Sequence, residues 1–250
     1  MMPNNHVLAV IMARGGSKRV PRKNVRLFLG CPMIAWPVAH AVASDLFSHI
    51  IISTDDREIA DAAIASGAAM YGLRPAAFSD DHADTSDVLR YELECFSARE
   101  GMLPDLCCCL YGTSALALPE VLLQGINTLQ ERDAELLLAV VPYVHPIERA
   151  LCFDDSGMAH YRQPEFVAMR TQDIKPSYHD SGLLYWFRPE AFFRHGGTSF
   201  IPMRKTAIIV SPRQAVDIDT EEDWQRAEQL AADMRAMRLA PSLSKSLQLI

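Results

Sequence analysis

The sequence predicts an α/β domain: a mostly parallel sheet with helices on both faces. Short continuous apolar runs alternate with amphipathic stretches through residue 141, a basic glycine loop follows the first run, and the same rhythm resumes near the C-terminus.

Each element follows from local pattern. Residues 6–12 are an apolar run stopping at Gly15-Gly16, the pattern of a buried parallel strand before a phosphate-type loop. A helix is predicted over 32–44, with Pro32 near its start and Pro37 an irregularity. A second strand covers 48–53. Thr54 or Asp55 is expected to cap a helix over 56–66 that ends at Gly67. A short strand over 68–71 and a helix over 84–99 follow, then a strand over 106–111, a helix over 119–132 and a strand over 135–141. From 142 to 202 the chain is rich in Pro, Tyr, His, Arg and Phe without clear rhythm, so it reads as an insertion into a single domain. A strand over 206–210 and a helix over 220–234 complete the pattern, and 239–250 read as a tail.

Composition narrows the function. The 250 residues carry 22% charged groups and 49% hydrophobic ones, ordinary for a globular chain with its own core. A net charge of −7 argues against nucleic acid or an anionic membrane as partner. No apolar run approaches the roughly 18 residues of a membrane helix. The six cysteines, three of them consecutive, fit no disulfide framework. They read as reduced thiols, mostly in the core, of a cytoplasmic protein.

The chemistry concentrates in two motifs. From Arg14 to Arg26 there are six basic residues and no acid. Gly15 and Gly16 permit tight turns, and several cations beside them suit a polyphosphate. The spacing is neither a Walker loop nor a dinucleotide fingerprint. Near the C-terminus, Asp217 and Asp219 lie about 7 Å apart on one side of an extended segment. Paired carboxylates near phosphates suit Mg²⁺, whereas Glu221, Glu222 and Asp223 read as first-turn acids of the next helix. The competing reading makes Asp219 or Thr220 the cap of that helix; metal binding is the favoured role of Asp217 and Asp219.

The string Ala13-Arg14-Gly15-Gly16-Ser17-Lys18, with Pro21 and Lys23-Asn24 beyond it, resembles the signature of the acylneuraminate cytidylyltransferase family. The Asp217-Ile218-Asp219-Thr220 run resembles the same family. The resemblance implies a Rossmann-like three-layer sheet of nucleotidyltransferase type. It also implies that the CMP of CTP passes to the anomeric hydroxyl of an acidic nine-carbon sugar. Arg14, Gly15, Gly16, Ser17, Lys18, Lys23 and Asn24 would surround CTP, with Arg14 and Lys23 on the triphosphate. Asp217 and Asp219 would hold Mg²⁺. Arg74 would face the base, and Thr85 or Ser86 the ribose, although either could instead be a helix cap. Thr113 and Ser114, sugar-binding candidates too, belong to a loop in which Tyr111 and Ala115 replace the family's usual Gln and Pro. In the insertion, Arg170, Gln172, Tyr178, His179 and Tyr185 are the sugar-binding candidates, Arg170 for the sugar carboxylate. There the string R-x-Q-D, then Y-H-D-S-G and Y-W, resembles pseudaminic acid cytidylyltransferases in particular. No side chain stands out as general base. Tyr143, Phe153, Tyr161, Phe166, Tyr185, Trp186, Phe192 and Phe193 suggest a homodimer formed through the insertion, against a folded-back extension. Alternative sugars are sialic, legionaminic or 3-deoxy-octulosonic acid. A nucleotide-sugar glycosyltransferase or a nucleotide-binding module without activity are the more distant readings.

Overall fold

The computed structural model describes residues 6–79 and 83–233. The expected tail, 239–250, lies outside them. In chain order the elements are β1 (Val7–Met12), β2 (Leu27–Phe28), β3 (Cys31–Pro32), α1 (Ala35–Ser44), β4 (His49–Ser53), α2 (Arg57–Ala65), α3 (Thr85–Glu100), β5 (Leu106–Tyr111), α4 (Pro119–Glu131), β6 (Leu136–Pro142), β7 (Leu151–Phe153), β8 (Ala159–Tyr161), β9 (Tyr178–Phe187), α5 (Pro189–Arg194) and β10 (Lys205–Ile209). Residues 221–233 form a last helix, α6.

Six strands make the central sheet in the order β10-β6-β9-β5-β1-β4. β1 pairs parallel with β4 and β5, and β10 parallel with β6; β9 runs antiparallel between β5 and β6. Alternation along each strand feeds two cores. Ala9 and Ile11 join the α1, α2 and α4 side, with Val38, Ala63 and Leu122. Leu8, Val10 and Met12 join the α3 and α5 side, with Leu89, Phe96 and Phe192. The consecutive cysteines split the same way, Cys108 to the first core and Cys107 and Cys109 to the second. The thiols are not mostly core, however: Cys31 and Cys152 are exposed and Cys95 is half-buried.

Local chemistry explains where the elements differ from expectation. α1 starts at Ala35, so Pro37 falls in its first turn, where a missing N–H costs nothing. Asp56, not Thr54 or Asp55, caps α2, accepting from the Glu58 and Ile59 amides. Asp84 caps α3, rather than Thr85 or Ser86. The strand expected at 68–71 is a single bridge from Ile51 to Ala69.

The segment 142–202 does not all stand outside the sheet. β9 lies at the sheet's centre, and Trp186 and Phe192 are fully buried core residues rather than surface for a partner. Residues 143–173 do leave the sheet: they carry the small β7–β8 hairpin and are mostly exposed. No helix among the described residues is long and apolar enough to cross a membrane.

Candidate active site

A cleft of about 440 Å³ opens at the carboxyl ends of β1 and β5, where open α/β sheets bind ligands. Its walls are the 13–24 loop, the turn after β5, the middle of β9 and residues 214–219. A smaller cleft of about 250 Å³ adjoins it, lined by Arg74, Phe78, Thr85 and Val88. Met12, Ala13, Arg14 and Tyr111 line both.

The basic loop is held by acids from other elements. Asp55 accepts the Gly15 amide at 3.0 Å. Arg22, in a left-handed conformation, pairs with Asp56 and Glu58. The Arg22 bond is the main cause holding the Asp56 carboxyl below its usual range. Gly15 is required by close approach rather than by a special turn: a Cβ there would lie 2.6 Å from Asp56 Oδ2. Asn24, buried, donates from Nδ2 to the Arg14 carbonyl at 3.0 Å, strapping the loop's two ends together.

The loop meets the aspartate pair across the cleft. Lys23 Nζ donates to the Ile218 carbonyl at 2.5 Å and lies 4.0 Å from Asp219 Oδ1. Arg19 reaches the same oxygen at 2.8 Å. Burial pushes the Lys23 ammonium below its usual pKa, opposed by Asp219 and Asp217. Thr220 and Asp223 form a capping box at the start of α6: Asp223 Oδ2 accepts the Thr220 amide at 2.9 Å, and the Thr220 hydroxyl accepts the Asp223 amide at 3.2 Å. Capping therefore falls to Thr220 with Asp223, and Asp217 and Asp219 line the cleft. Arg26 clamps α6 through a two-pronged pair with Glu221, 2.6 and 2.7 Å, and stacks over Trp224.

Among the described residues no three His, Cys, Asp or Glu side chains gather as a metal cage. Two carboxylates opposite a basic loop fit Mg²⁺ all the same, since that ion keeps waters and takes phosphate oxygens as ligands.

Arg14, Ser17, Lys18, Lys23, Asn24, Thr113, Ser114, Tyr185, Asp217 and Asp219 thus share the larger cleft, with Gly15 and Gly16 between Arg14 and Ser17. Arg74 and Thr85 sit in the smaller one. Ser86 lines neither; it is buried at the start of α3, its amide donating to Asp84. The Ser114 hydroxyl is engaged by the backbone, donating to the Leu183 carbonyl at 2.8 Å and accepting the Tyr111 amide at 3.1 Å.

Arg170, Gln172, Tyr178 and His179 lie outside both clefts of their own chain. Arg170 is exposed beside Asp173, and the His179 ring packs on Tyr143.

Sequence reading does not single out several groups that line the cleft. Arg19 stands inside the basic motif, so its charge alone was a signal. Tyr111 and Ser181 line the cleft as well; in the sequence Tyr111 stands out only as a departure from the family's Gln, and Ser181, with Asp180 beside it, only inside the Y-H-D-S-G string. The Thr85 and Tyr111 hydroxyls are 2.8 Å apart, and Tyr185 donates to Asp180 Oδ2 at 2.8 Å. Burial pushes both tyrosines above the usual phenol pKa. β9 bulges opposite Leu138–Val140; there Ser181 donates to the Ala139 carbonyl and Gly182 takes φ +64°.

Comparison with known proteins agrees with this geometry. The profile described as Cytidylyltransferase matches residues 8–243. The pseudaminic acid cytidylyltransferase of Campylobacter jejuni is 33% identical over 222 residues, 88% of this chain and 94% of that protein. The CMP-N,N'-diacetyllegionaminic acid synthase of Legionella pneumophila is 30% identical over 233 residues, 90% and 95% of the two chains. Among solved structures, a CMP:2-keto-3-deoxy-manno-octonic acid synthetase complexed with CTP superposes with TM-score 0.64 at 17% identity, covering 92% of this chain and 99% of that one. That likeness concerns the fold; the sequence match carries the family. With a basic loop and an aspartate pair facing each other across one cleft, and a family match along nearly its whole length, the chain belongs to the acylneuraminate cytidylyltransferase family and is a nucleotidyltransferase.

Proposed function

We propose that the protein transfers CMP from CTP to the anomeric hydroxyl of a nonulosonic acid, pseudaminic acid foremost, and releases pyrophosphate. The observation that carries this reading is the meeting of the Arg14–Asn24 loop with Asp217 and Asp219 over one cleft. The printed activity of the Campylobacter jejuni relative supports the choice of sugar.

In this reading the sugar oxygen bonds to the α-phosphorus as the bond to the β-phosphate oxygen breaks, and the hydroxyl proton passes to water. The chain's part is positioning and charge neutralisation. Arg14, Lys18, Lys23 and Arg19 offset the triphosphate charge. Asn24 keeps the loop closed. Arg74 and Thr85 receive the nucleoside in the smaller cleft. Mg²⁺ held by Asp217 and Asp219 would stabilise the leaving pyrophosphate. Asp217→Asn and Asp219→Asn are each expected to abolish Mg²⁺-dependent turnover with an unchanged circular dichroism spectrum; normal activity at low Mg²⁺ in both would return these residues to a purely structural role.

Assembly as a homodimer belongs to the same reading. Arg170 and Gln172 act on sugar if the 143–173 arm of one copy reaches the cleft of another, and Tyr178 and His179, at the start of β9, if the same approach brings them to that cleft. The free thiols suit the reducing cytoplasm, where we assign the reaction.

The test is incubation with CTP, Mg²⁺ and a panel of nonulosonic acids, following pyrophosphate release. Fastest release with pseudaminic acid is expected. Preference for sialic, legionaminic or 3-deoxy-octulosonic acid would reassign the sugar, and no release with any acid would overturn the activity.

A further inference from the structure

The arm that carries Arg170 is fastened by a single guanidinium. No residue from 143 to 173 is buried, so no core of its own sets the arm's conformation. Hydrogen bonds order it instead, and those that close its far side converge on Arg149. This residue ends a helical turn, Ile147–Arg149, at the root of the β7–β8 hairpin. The hairpin's bonding reaches back to the Ala150 carbonyl, which accepts the Arg162 amide at 2.8 Å.

From that root the Arg149 side chain crosses to the returning chain. Nε donates to the Phe166 carbonyl at 3.2 Å, Nη1 to the Thr171 hydroxyl at 3.2 Å, and Nη2 to the Met169 carbonyl. Met169 and Thr171 are the neighbours of Arg170 on either side. One planar fork therefore fixes the chain before and after Arg170. The Arg170 carbonyl is engaged as well, accepting the Asp173 amide at 3.0 Å. The Arg170 side chain stays 78% exposed, with Asp173 Oδ2 3.5 Å from its Nε. The backbone is thus held while the side chain remains available to a ligand.

We propose that Arg149 is a positioning residue for sugar binding: by holding the chain on both sides of Arg170, it presents that side chain in one direction to the sugar carboxylate. This rests on the reading that Arg170 serves the sugar site of a second copy. Arginine suits the task because its planar fork holds several acceptors at fixed angles, whereas a lysine keeps the charge but is a point donor on a flexible stem. Without the fork the 166–171 turn samples several conformations, and binding must select the productive one, which weakens it. Turnover of sugar once bound depends on the cleft and is left as it was.

The test uses the full chain and the variants Arg149→Lys, Thr171→Val, Arg170→Ala and the double variant of Arg149→Lys with Arg170→Ala. Steady-state kinetics with pseudaminic acid and CTP are paired with melting curves and light scattering. For Arg149→Lys, KM for the sugar is expected to rise roughly tenfold, with kcat, KM for CTP and the mass in solution nearly unchanged. Thr171→Val, which removes the hydroxyl acceptor, is expected to raise the sugar KM about threefold, and it carries the test if Arg149→Lys fails to fold. In the Arg170→Ala background Arg149→Lys is expected to add nothing, since Arg149 acts through Arg170. A wild-type sugar KM in both Arg149→Lys and Thr171→Val, beside a raised value in Arg170→Ala, would overturn the positioning role. A further rise of the full factor in the double variant would overturn it too, because Arg149 would then act on the sugar independently. A lowered melting temperature with equal rises in both KM values would leave Arg149 a structural clasp only. If Arg170→Ala itself leaves the sugar KM unchanged, the sugar reading of the arm has failed, and the proposal falls with it.

Discussion

Single side chains in this cleft act through what they tie together. Lys23 links the basic loop to the 217–219 segment, through the Ile218 carbonyl and the nearby Asp219. Lys23→Ala is expected to lower kcat about 10²–10³-fold, the effect of removing one fixed charge from a developing anion. A folded variant with wild-type turnover would take Lys23 out of the site. Gly112 has a different role. Its amide donates to the Met12 carbonyl at 2.8 Å, and a Cβ there would collide with Asn24 Oδ1. Gly112→Ala must push Asn24 off the Arg14 carbonyl and loosen the loop. We expect a loss of about 1–3 kcal/mol in urea unfolding together with weaker CTP binding; a variant unchanged in both measures would show that Asn24 has room to move.

Elements differ in how much of their role the sequence displays. β1, β4, β5 and β6 are legible because a strand buried between two helical layers must be apolar along most of its length, whereas β10, an edge strand buried only at Ile208, is legible from its short apolar run. The basic loop is legible because thirteen contiguous residues carry its charge. β9 is not, because only Leu183–Phe187 is apolar. Its first half, Tyr178 to Gly182, is a polar bulge whose Asp180, Ser181 and Gly182 turn towards the cleft or bond β6. The network of Thr85, Tyr111, Tyr185 and Asp180 stays hidden for a related reason: α3, β5 and β9 each supply part of it. At the opposite edge of the sheet, Glu135 joins β6 to α5 and β10. It accepts the Arg204 amide at 2.9 Å and pairs with Arg194 and His195 at 2.7 and 3.1 Å. The Arg204 amide bond leads the effects that bring its carboxyl down to about 2. A depressed carboxyl stabilises the fold above its unfolded pKa, about 4.3, and that stability is lost as pH falls towards 2. Glu135→Gln is therefore expected to lower the melting temperature at pH 7 and to flatten its fall between pH 5 and pH 2. Parallel melting curves for variant and wild type over that range would exclude Glu135 as a main acid trigger.

At the scale of the whole molecule, apolar surface is unevenly spread. Eighteen large hydrophobic side chains are exposed among the described residues, and ten of them lie between Tyr143 and Tyr178. Val144 is 85% exposed and Phe153 74%. A soluble monomer rarely gathers so much apolar surface on one projection. The arm does not fold back to cover it: β7 and β8 pair only with each other, and β7 is exposed throughout. The same arm carries Arg170 and Gln172, which lie outside the clefts of their own chain, and the larger cleft opens beside β9, at whose start the arm ends. These facts favour a two-fold assembly in which each arm completes the other's site. Light scattering at micromolar concentration is expected to give twice the 27.9 kDa chain mass, and Leu151→Asp with Phe153→Asp to give the single-chain mass. Arg170→Ala is expected to raise KM for the sugar well above any change for CTP. Mixing inactive Asp219→Asn with Arg170→Ala separates a shared site from two independent ones. If the arm acts in trans, mixed dimers combine an intact cleft with an intact arm and recover activity at low sugar. A monomer at every concentration, or no recovery on mixing, would return the arm residues to their own chain and leave the sugar carboxylate to the cations of the loop.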